Sequence, residues 1–210
     1  MAILMLIVEL AGTMAFAVSG AMTGLSKRMD IFGVAILGLT TATGGGVLRD
    51  ILLGSFPPMM FRDPIYAAFA VGTSIVIFLP LVRRLLARTR RLYTAILFFT
   101  DTLGLGIFTV VGVQAAYIAG YDNAFLAIFV GTITGVGGGV LRDVLAGNTP
   151  YIFVKHVYAS AAIAGAVACV LLWHPAGSTT AMFVGAGVIV AIRVLAAHFH
   201  WSLPKGSDEV

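Results

Sequence analysis

A seven-residue stretch that occurs twice constrains this chain more than any other feature of its sequence. Gly-Gly-Gly-Val-Leu-Arg-Asp occupies residues 44–50 and recurs unchanged at residues 137–143, each time inside an apolar segment. In a plain helix each glycine costs about 1 kcal/mol relative to alanine, and an Arg or Asp at membrane depth costs roughly 2.5 to 3.5 kcal/mol. A chain that carries this combination twice is predicted to use it. We interpret the two copies as broken membrane helices that line a polar path.

The composition indicates an integral membrane protein. Of the 210 residues, 60% are hydrophobic and 10% are charged, whereas soluble domains carry about 25% charged residues. The formal net charge of +4 does not indicate nucleic-acid binding, because the basic residues stand beside the apolar segments rather than in one patch. A single cysteine, Cys169, excludes a disulfide within the chain.

The apolar segments predict an all-α fold with seven transmembrane helices, since one span needs about 20 mostly apolar residues. The first segment is predicted to be a retained span rather than a cleaved signal, because Lys27 and Arg28 follow it instead of preceding it. The predicted spans are roughly 3–25, 31–53, 64–82, 93–117, 123–146, 157–173 and 179–198.

The lysines and arginines predict the orientation of these spans. If the spans simply alternate, almost all connecting basic residues fall on one side, and Arg62 is the exception. Positive charge accumulates on the cytoplasmic side, so we predict a multi-pass protein of the inner (plasma) membrane with its N-terminus outside and its C-terminus cytoplasmic. The residues on that side are Lys27, Arg28, Arg83, Arg84, Arg88, Arg90, Arg91, Lys155 and Lys205.

The repeat extends well beyond the glycine motif. An acidic residue opens each unit, Glu9 in the first and Asp101 in the second, and Tyr66 after the first motif matches Tyr158 after the second. Each unit holds three spans, an odd number, so the second unit is predicted to be inverted relative to the first. The predicted division is 1–92 for the first three-helix repeat, 93–175 for the inverted repeat, and 176–210 for the seventh helix with a short cytoplasmic tail.

The glycines are predicted to kink their helices and to line the path. A kink or unwound turn leaves carbonyl oxygens uncovered, and such oxygens can replace part of the water shell of a cation. The alternative is that the glycines only let helices pack closely, and the two roles are compatible. The predicted kink and lining residues are Gly44, Gly45, Gly46, Gly137, Gly138 and Gly139, with the neighbouring hydroxyls of Thr43 and Thr134.

Six charged residues are predicted to border the path. Each Arg-Asp pair can bond across the units or to the acids that open them, and those acids would raise the local cation concentration. The alternative for the pairs is a place at helix ends in the headgroup zone, where Arg extends into water; for the acids it is a helix start. The residues are Glu9, Arg49, Asp50, Asp101, Arg142 and Asp143.

Other residues indicate less. Arg193 in the last apolar segment is predicted to extend to the cytoplasmic face or to bind a lipid headgroup. His198 and His200 have no third ligand nearby in the sequence, so no metal site is expected. The chain carries no motif of a known catalytic class and is not expected to be an enzyme.

These features resemble the prokaryotic branch of the trimeric intracellular cation channels, over nearly the whole chain. The resemblance rests on seven spans, two inverted three-span units and Gly-Gly-Gly-x-x-Arg-Asp in spans two and five. It implies a homotrimer in a lipid membrane, with a hydrophilic pore in each protomer and helices two and five kinked at the glycines. It also implies permeation of monovalent cations, chiefly potassium with sodium also passing, and no cofactor. The lysine-rich phosphoinositide site of the animal members has no counterpart in this sequence.

Two other functional classes stay open at this point. Inverted repeats and broken helices are equally good evidence for a secondary transporter, and the same bacterial sequence group has been linked to transport of small amino acids such as glycine. A scaffold or lipid-interacting protein without conduction is the third possibility.

Overall fold

The fold is helical throughout the part of the chain that the computed structural model describes, residues 2–87, 89–154 and 157–201. Arg88, Lys155 and Lys205, which contributed to the predicted orientation, lie outside these residues. The helices are α1 (Ala2–Ser26), α2 (Ile31–Leu52), α3 (Met59–Arg62), α4 (Ile65–Phe78), α5 (Pro80–Ala87), α6 (Arg90–Ile118), α7 (Ala124–Leu145), α8 (Tyr151–Val154), α9 (Ala159–Trp173) and α10 (Ser178–His198).

Five of the described helices are long and apolar enough to cross a membrane, namely α1, α2, α6, α7 and α10. The predicted third span, 64–82, is not one straight helix. It is divided into α4 and α5, which are bent by 72° at the break, because Pro80 lacks the N–H that would continue the helical ladder. Helix α9 is apolar but has only 15 residues. The membrane class is therefore confirmed, and the count of seven spans stays a prediction.

Helices α2 and α7 begin and end in the same way. The side chain of Asp30 accepts a hydrogen bond from Gly33 N at 2.7 Å, and that of Asn123 accepts one from Leu126 N at 3.0 Å, so each helix has a side-chain N-cap. At the other end, the chain leaves each helix through a glycine with positive φ. These glycines are Gly54 (φ 67°) and Gly147 (φ 64°), a conformation that side chains with a Cβ rarely adopt.

Helices α2 and α7 cross at their glycine motifs. A methyl group on Gly45 would collide with the carbonyl oxygen of Thr134, and one on Gly138 would collide with that of Thr41. Contacts further along α2 meet residues earlier in α7, so the two helices run antiparallel. The ends that carry the two Arg-Asp pairs therefore lie on opposite sides of the crossing, each about 6 Å from it along the helix axis at a rise of about 1.5 Å per residue.

The helical backbone continues through both glycine motifs. The interpretation as broken helices with an unwound turn is therefore wrong, and the close packing that the sequence left as an alternative is what the structure shows. The physical reason is that the contact between α2 and α7 stabilises a helix in which glycine alone is a poor former. A bend within the continuous helices stays a prediction.

Two phenylalanines at matching positions of α1 and α6 meet beside this crossing. The rings of Phe16 and Phe108 stack with their centroids 5.4 Å apart. Phe16 also covers Gly104, where there is no room for a Cβ, and its ring edge would lie 3.3 Å from a methyl group on Gly138. The crossing of α2 and α7 is thus covered by an aromatic pair from α1 and α6.

Candidate functional site

Four residues of the first unit form a polar cluster near the end of α2, here called the first polar cluster: Glu9, Arg49, Asp50 and Tyr66. Arg49 Nε donates to Asp50 Oδ1 at 2.8 Å. The other carboxylate oxygen of Asp50 accepts from Met59 N at 2.7 Å, which anchors the start of α3. The hydroxyl of Tyr66 donates to the carboxylate of Glu9.

The matching residues of the second unit, Asp101, Arg142, Asp143 and Tyr158, form the second polar cluster near the end of α7. Arg142 Nε donates to Asp143 Oδ1 at 2.8 Å, and Asp143 Oδ2 accepts from Tyr151 N at 3.0 Å, at the start of α8. Arg142 Nη1 donates to Asp101 Oδ1 at 2.6 Å. It also lies 2.5 Å from Ser19 Oγ of the first unit.

The structure corrects two expectations about the Arg-Asp pairs. Each Arg bonds its sequence neighbour, because the Asp is held by a backbone N–H of the following segment and presents its free oxygen to the guanidinium. Of the two, Arg142 reaches the acid that opens its unit, while in the first unit Glu9 bonds a tyrosine instead. The two arginines do not extend into water, as the headgroup-zone alternative required, since the relative exposures are 9% for Arg49, 5% for Asp50, and 1% for Arg142 and Asp143.

A cavity of about 50 Å³ adjoins the first polar cluster and contains all four of its residues in its walls. Such a volume has room for a few water molecules, because one water needs about 10 to 15 Å³ by this measure. The cavity is also lined by Thr43 and Gly46, two of the predicted lining residues. Its remaining wall residues are Thr13, Ala42, Val47, Met59, Met60, Phe108 and Val111.

The second polar cluster is closed by Arg193 of α10. Asp101 is fully buried, and Arg193 is 6% exposed. Arg193 Nη2 lies 3.3 Å from Asp101 Oδ2, and its Nε lies 3.3 Å from Thr102 Oγ1. The prediction that Arg193 extends to the membrane face or binds a headgroup is therefore wrong, because a buried carboxylate holds it inside the protein.

The predicted glycines divide between two environments. Gly44, Gly45, Gly137 and Gly138 lie in the crossing of α2 and α7, where Leu141 packs over Gly44 and Leu48 over Gly137. Gly46 has open space before it, since a methyl group placed there would have only Arg49 Nη2 nearby, at 3.9 Å. Gly139 faces the hydroxyl of Tyr158, which would lie 2.6 Å from a methyl group at that position.

The two predicted threonines also differ in place. Thr43 lines the cavity, and its hydroxyl donates to Leu39 O at 2.8 Å. Thr134 is fully buried in the helix crossing, where its hydroxyl donates to Val130 O at 2.6 Å. A role for Thr134 in lining a path stays a prediction.

Sequence reasoning did not assign Tyr66, Tyr158, Ser19 or Arg193 to the site. The two tyrosines carried a signal, because they match between the units and each follows its motif at nearly the same distance. Arg193 carried the signal of a lone charge in an apolar helix, which by default faces the interior of a helix bundle. Applying that rule to Arg193 would have placed it correctly.

Substitution of the two third glycines separates their environments experimentally. We expect Gly46→Ala to leave stability unchanged or slightly raised, because the methyl group enters open space and alanine favours the helix. Gly139→Ala is expected to lower stability by about 1 to 2 kcal/mol, because the methyl group presses on the Tyr158 hydroxyl. Thermal unfolding in detergent measures both, and Tyr158→Phe should rescue Gly139→Ala. Equal effects at the two glycines would contradict this assignment.

A family model described as Glycine transporter matches residues 6–80 and 98–174 of this chain. Among curated proteins, a UPF0126 membrane protein of Vibrio cholerae serotype O1 is 39% identical over 96% of this chain and 82% of that protein. The UPF0126 inner membrane protein YadS of Escherichia coli strain K12 is 36% identical over 93% of both chains. The two curated relatives match nearly the whole chain, whereas the family model leaves residues 81–97 between its two matched segments.

Solved structures share the whole fold. A TRIC cation channel described for its conductance is 33% identical, with a TM-score of 0.86 over 97% of this chain and 98% of that chain. A prokaryotic TRIC channel crystallised in 0.5 M KCl is 30% identical, with a TM-score of 0.87 over 97% and 100%. The TRIC trimeric intracellular cation channel orthologue of Rhodobacter sphaeroides is 30% identical, with a TM-score of 0.85 over 94% and 99%.

Proposed function

Since the chain belongs to the prokaryotic trimeric intracellular cation (TRIC) channel family, we propose that it is a channel for monovalent cations, chiefly potassium with sodium also passing. The path runs within each protomer, beside the crossing of α2 and α7. The cavity at the first polar cluster is the observation that carries this proposal. Its wall contains a carboxylate, a hydroxyl and a glycine on helices that are long and apolar enough to cross a membrane, where an apolar surface would be the default.

The charges of the first polar cluster favour a cation over an anion. Arg49 is neutralised by the neighbouring carboxylate of Asp50 at 2.8 Å, whereas the side-chain carboxylate of Glu9 bonds only a neutral tyrosine hydroxyl among the hydrogen bonds of the described residues. Glu9 is half-buried in the cavity wall. The cluster thus presents a net negative charge to the cavity, and such a charge attracts cations more strongly in a partly desolvated site than in bulk water.

The proposal includes the finer features of the family. We propose seven spans, with an inverted three-helix repeat on each side of the α2–α7 crossing, and a homotrimer with the N-terminus outside. The paired contacts at the crossing support the inverted repeat, because each contact of α2 with α7 has a counterpart at matching positions. A modest bend of α2 and α7 at the glycines, and lipid bound around the helices, belong to the same proposal.

A secondary transporter of a small amino acid such as glycine is the second candidate. Inverted repeats occur in many transporters, which keeps this class open; the family model's description as Glycine transporter is a name and shows no transport. The solved relatives are described as channels, which favours conduction.

Reconstitution of the purified protein into planar bilayers tests the proposal. We expect unitary current steps in potassium chloride, smaller steps in sodium chloride, and a reversal potential that follows the cation gradient. Saturable uptake of labelled glycine into vesicles, without unitary currents, would support the transporter instead. A reversal potential that follows chloride would contradict the cation path.

Neutralising Glu9 is expected to lower the conductance. Glu9→Gln keeps the size of the side chain and its bond to Tyr66, but removes the charge from the cavity wall. We expect unitary potassium conductance to fall about threefold at low ionic strength and less at high salt, because mobile ions screen the lost charge. Asp122→Asn, on an exposed loop, is the matched control and should leave the conductance unchanged. An equal effect of both variants would remove Glu9 from the path.

A further inference from the structure

The two polar clusters hold matching residues but differ in their surroundings. In the first cluster, Glu9 and Tyr66 are half-buried beside the cavity. In the second cluster, Asp101 is fully buried and Tyr158 is 1% exposed. The difference cannot come from the glycine motif, because both copies have the same seven residues. Helix α10, which stands outside the repeat, contributes Arg193 to the second cluster and makes no side-chain bond to the first among the described residues.

The position of the tyrosine distinguishes the two clusters. In the first cluster, the Tyr66 hydroxyl bonds Glu9, and the space in front of Gly46 is part of the cavity. In the second cluster, the Tyr158 hydroxyl lies against Gly139 and fills the matching space. Within the described part of the chain, that hydroxyl has no hydrogen-bond partner. A buried hydroxyl without a partner costs about 1 to 3 kcal/mol, so a second position with a partner is expected for it.

Arg193 bonds the carboxylate of Asp101, which the symmetry of the repeat would make the hydrogen-bond partner of Tyr158. The Nη2 atom of Arg193 forms an ion pair with Asp101 Oδ2. The guanidinium carbon lies 4.8 Å from the centroid of the Tyr158 ring and 5.0 Å from that of the Phe98 ring. On its other side Arg193 lines a cavity of about 360 Å³ at the end of α10. Arg193 therefore stands as the wall between this larger cavity and the buried carboxylate.

The bonds of Arg193 are the long ones of the cluster. Its contacts with Asp101 and Thr102 measure 3.3 Å, whereas Arg142 reaches the same carboxylate at 2.6 Å. Hydrogen bonds of the N–H···O type are usually about 2.9 to 3.0 Å long. Arg193 is therefore the group that can leave Asp101 most easily, while Arg142 stays in place.

We propose that Arg193 of α10 is the residue that holds the second half of the path closed, by competing with Tyr158 for the carboxylate of Asp101. In the open state Arg193 releases Asp101 Oδ2 and turns toward the larger cavity. Tyr158 then donates to Asp101, as Tyr66 does to Glu9, and vacates the space in front of Gly139. The inference rests on the proposed function and adds its closing residue, a positioning residue that acts through Asp101 and Tyr158.

Single-channel recording of Arg193→Gln tests the closing role. We expect the ratio of open to closed time to rise at least about tenfold, because a charge-assisted bond that exists only in the closed state is lost. Thr102→Val, which removes the second partner of Arg193 without changing a charge, should act in the same direction with a smaller effect. Arg84→Gln, an exposed arginine of α5, is the control and should leave the ratio unchanged. An unchanged ratio in both test variants would overturn the proposal.

Tyr158→Phe tests the second position of the hydroxyl. The structure shows no bond for this hydroxyl to lose within the described residues, so a purely structural role predicts unchanged gating. The proposal predicts an open-to-closed ratio that falls about fivefold or more, because the open state loses its bond to Asp101. Unchanged gating in Tyr158→Phe would contradict the exchange of partners.

A labelling experiment keeps this inference separate from the proposed function. Val136 is the counterpart of the cavity residue Thr43 and is 3% exposed. In a Cys169→Ala background, the thiol of Val136→Cys should react with a cationic methanethiosulfonate at least about tenfold faster when Arg193 is also Gln; Thr43→Cys should react equally in both. If no variant carries current, the channel function fails, while the labelling still decides the role of Arg193. Equal labelling of Val136→Cys in both backgrounds would overturn that role.

Discussion

Replacing Asp101 with asparagine is expected to lower the free energy of unfolding by about 3 to 5 kcal/mol, as for other buried ion pairs that lose one partner. Asp101 is fully buried and is the only carboxylate within salt-bridge distance of Arg193 among the described residues. Among the hydrogen bonds of the described residues, Arg142 would keep those to Asp143 and Ser19, and Arg193 would keep the one to the Thr102 hydroxyl. One negative charge would thus balance two buried positive charges.

The matching acid of the first unit provides the control for this substitution. Glu9→Gln removes a carboxylate that is half-buried and hydrogen-bonded to a tyrosine rather than to an arginine, so we expect a loss of about 1 kcal/mol or less. Unfolding in detergent, followed by fluorescence-detected gel filtration over a temperature series, measures both variants. A chain in which the two substitutions cost the same would show that Asp101 does not carry the buried charge balance.

Replacing Gly45 or Gly138 with alanine is expected to lower stability by about 3 kcal/mol, the upper part of the range for overpacked cores. A methyl group at either position collides with a backbone carbonyl oxygen of the facing helix, that of Thr134 or Thr41. A backbone group cannot turn away as a side chain does, so α2 and α7 would have to separate. The higher helix propensity of alanine, about 1 kcal/mol, offsets only part of this cost.

Two other helical glycines serve as controls for the crossing. At Gly72 in α4 and Gly187 in α10, an added methyl group would have no described atom of another segment within 4 Å. Alanine at either position is expected to keep or raise the unfolding temperature in the same assay. The packing role of the crossing glycines would be refuted by equal melting temperatures for Gly45→Ala and Gly72→Ala.

The glycines of each motif differ in role, because some lie in a helix contact and the third lies beside space next to the helix. The first two glycines of each motif lie in the contact between α2 and α7, whereas Gly46 lines the cavity and Gly139 faces Tyr158. The motif therefore combines close helix packing with space beside the helices. A conductance change in Gly46→Ala at unchanged stability would assign the second role independently of the first.

Much of the architecture could be predicted from the sequence. The high apolar content and the lengths of the apolar segments predict a polytopic helical protein, and helices α1, α2, α6, α7 and α10 lie close to the predicted spans. Within the predicted third span, 64–82, the chain bends by 72° at Pro80, so the apolar segment is divided between α4 and α5. Pro80, which lacks a backbone N–H, indicates the break, and Arg83 and Arg84 follow it in α5, whereas α4 carries no charged residue.

The family, too, follows from residues that the sequence alone displays. Two identical copies of Gly-Gly-Gly-Val-Leu-Arg-Asp in matching places predicted membership of the TRIC family, and the similarity to the solved channels confirmed it. The bonding of the charges did not follow, because neighbouring residues on a helix point about 100° apart and the sequence does not show which amide holds each Asp. Met59 N and Tyr151 N make those bonds, and both belong to segments whose path only the structure gives.

By itself, the sequence determined that this chain is helical, lies in a membrane and repeats one polar motif in two spans. Only the tertiary structure decided that the two motifs have different surroundings, one beside a cavity and one closed by Arg193. The physical reason is that identical local sequences have identical propensities, whereas burial and charge balance depend on which other helix packs against them. Here that helix is α10, which stands outside the repeat. Among the side-chain bonds of the described residues, α10 contacts the second polar cluster and not the first.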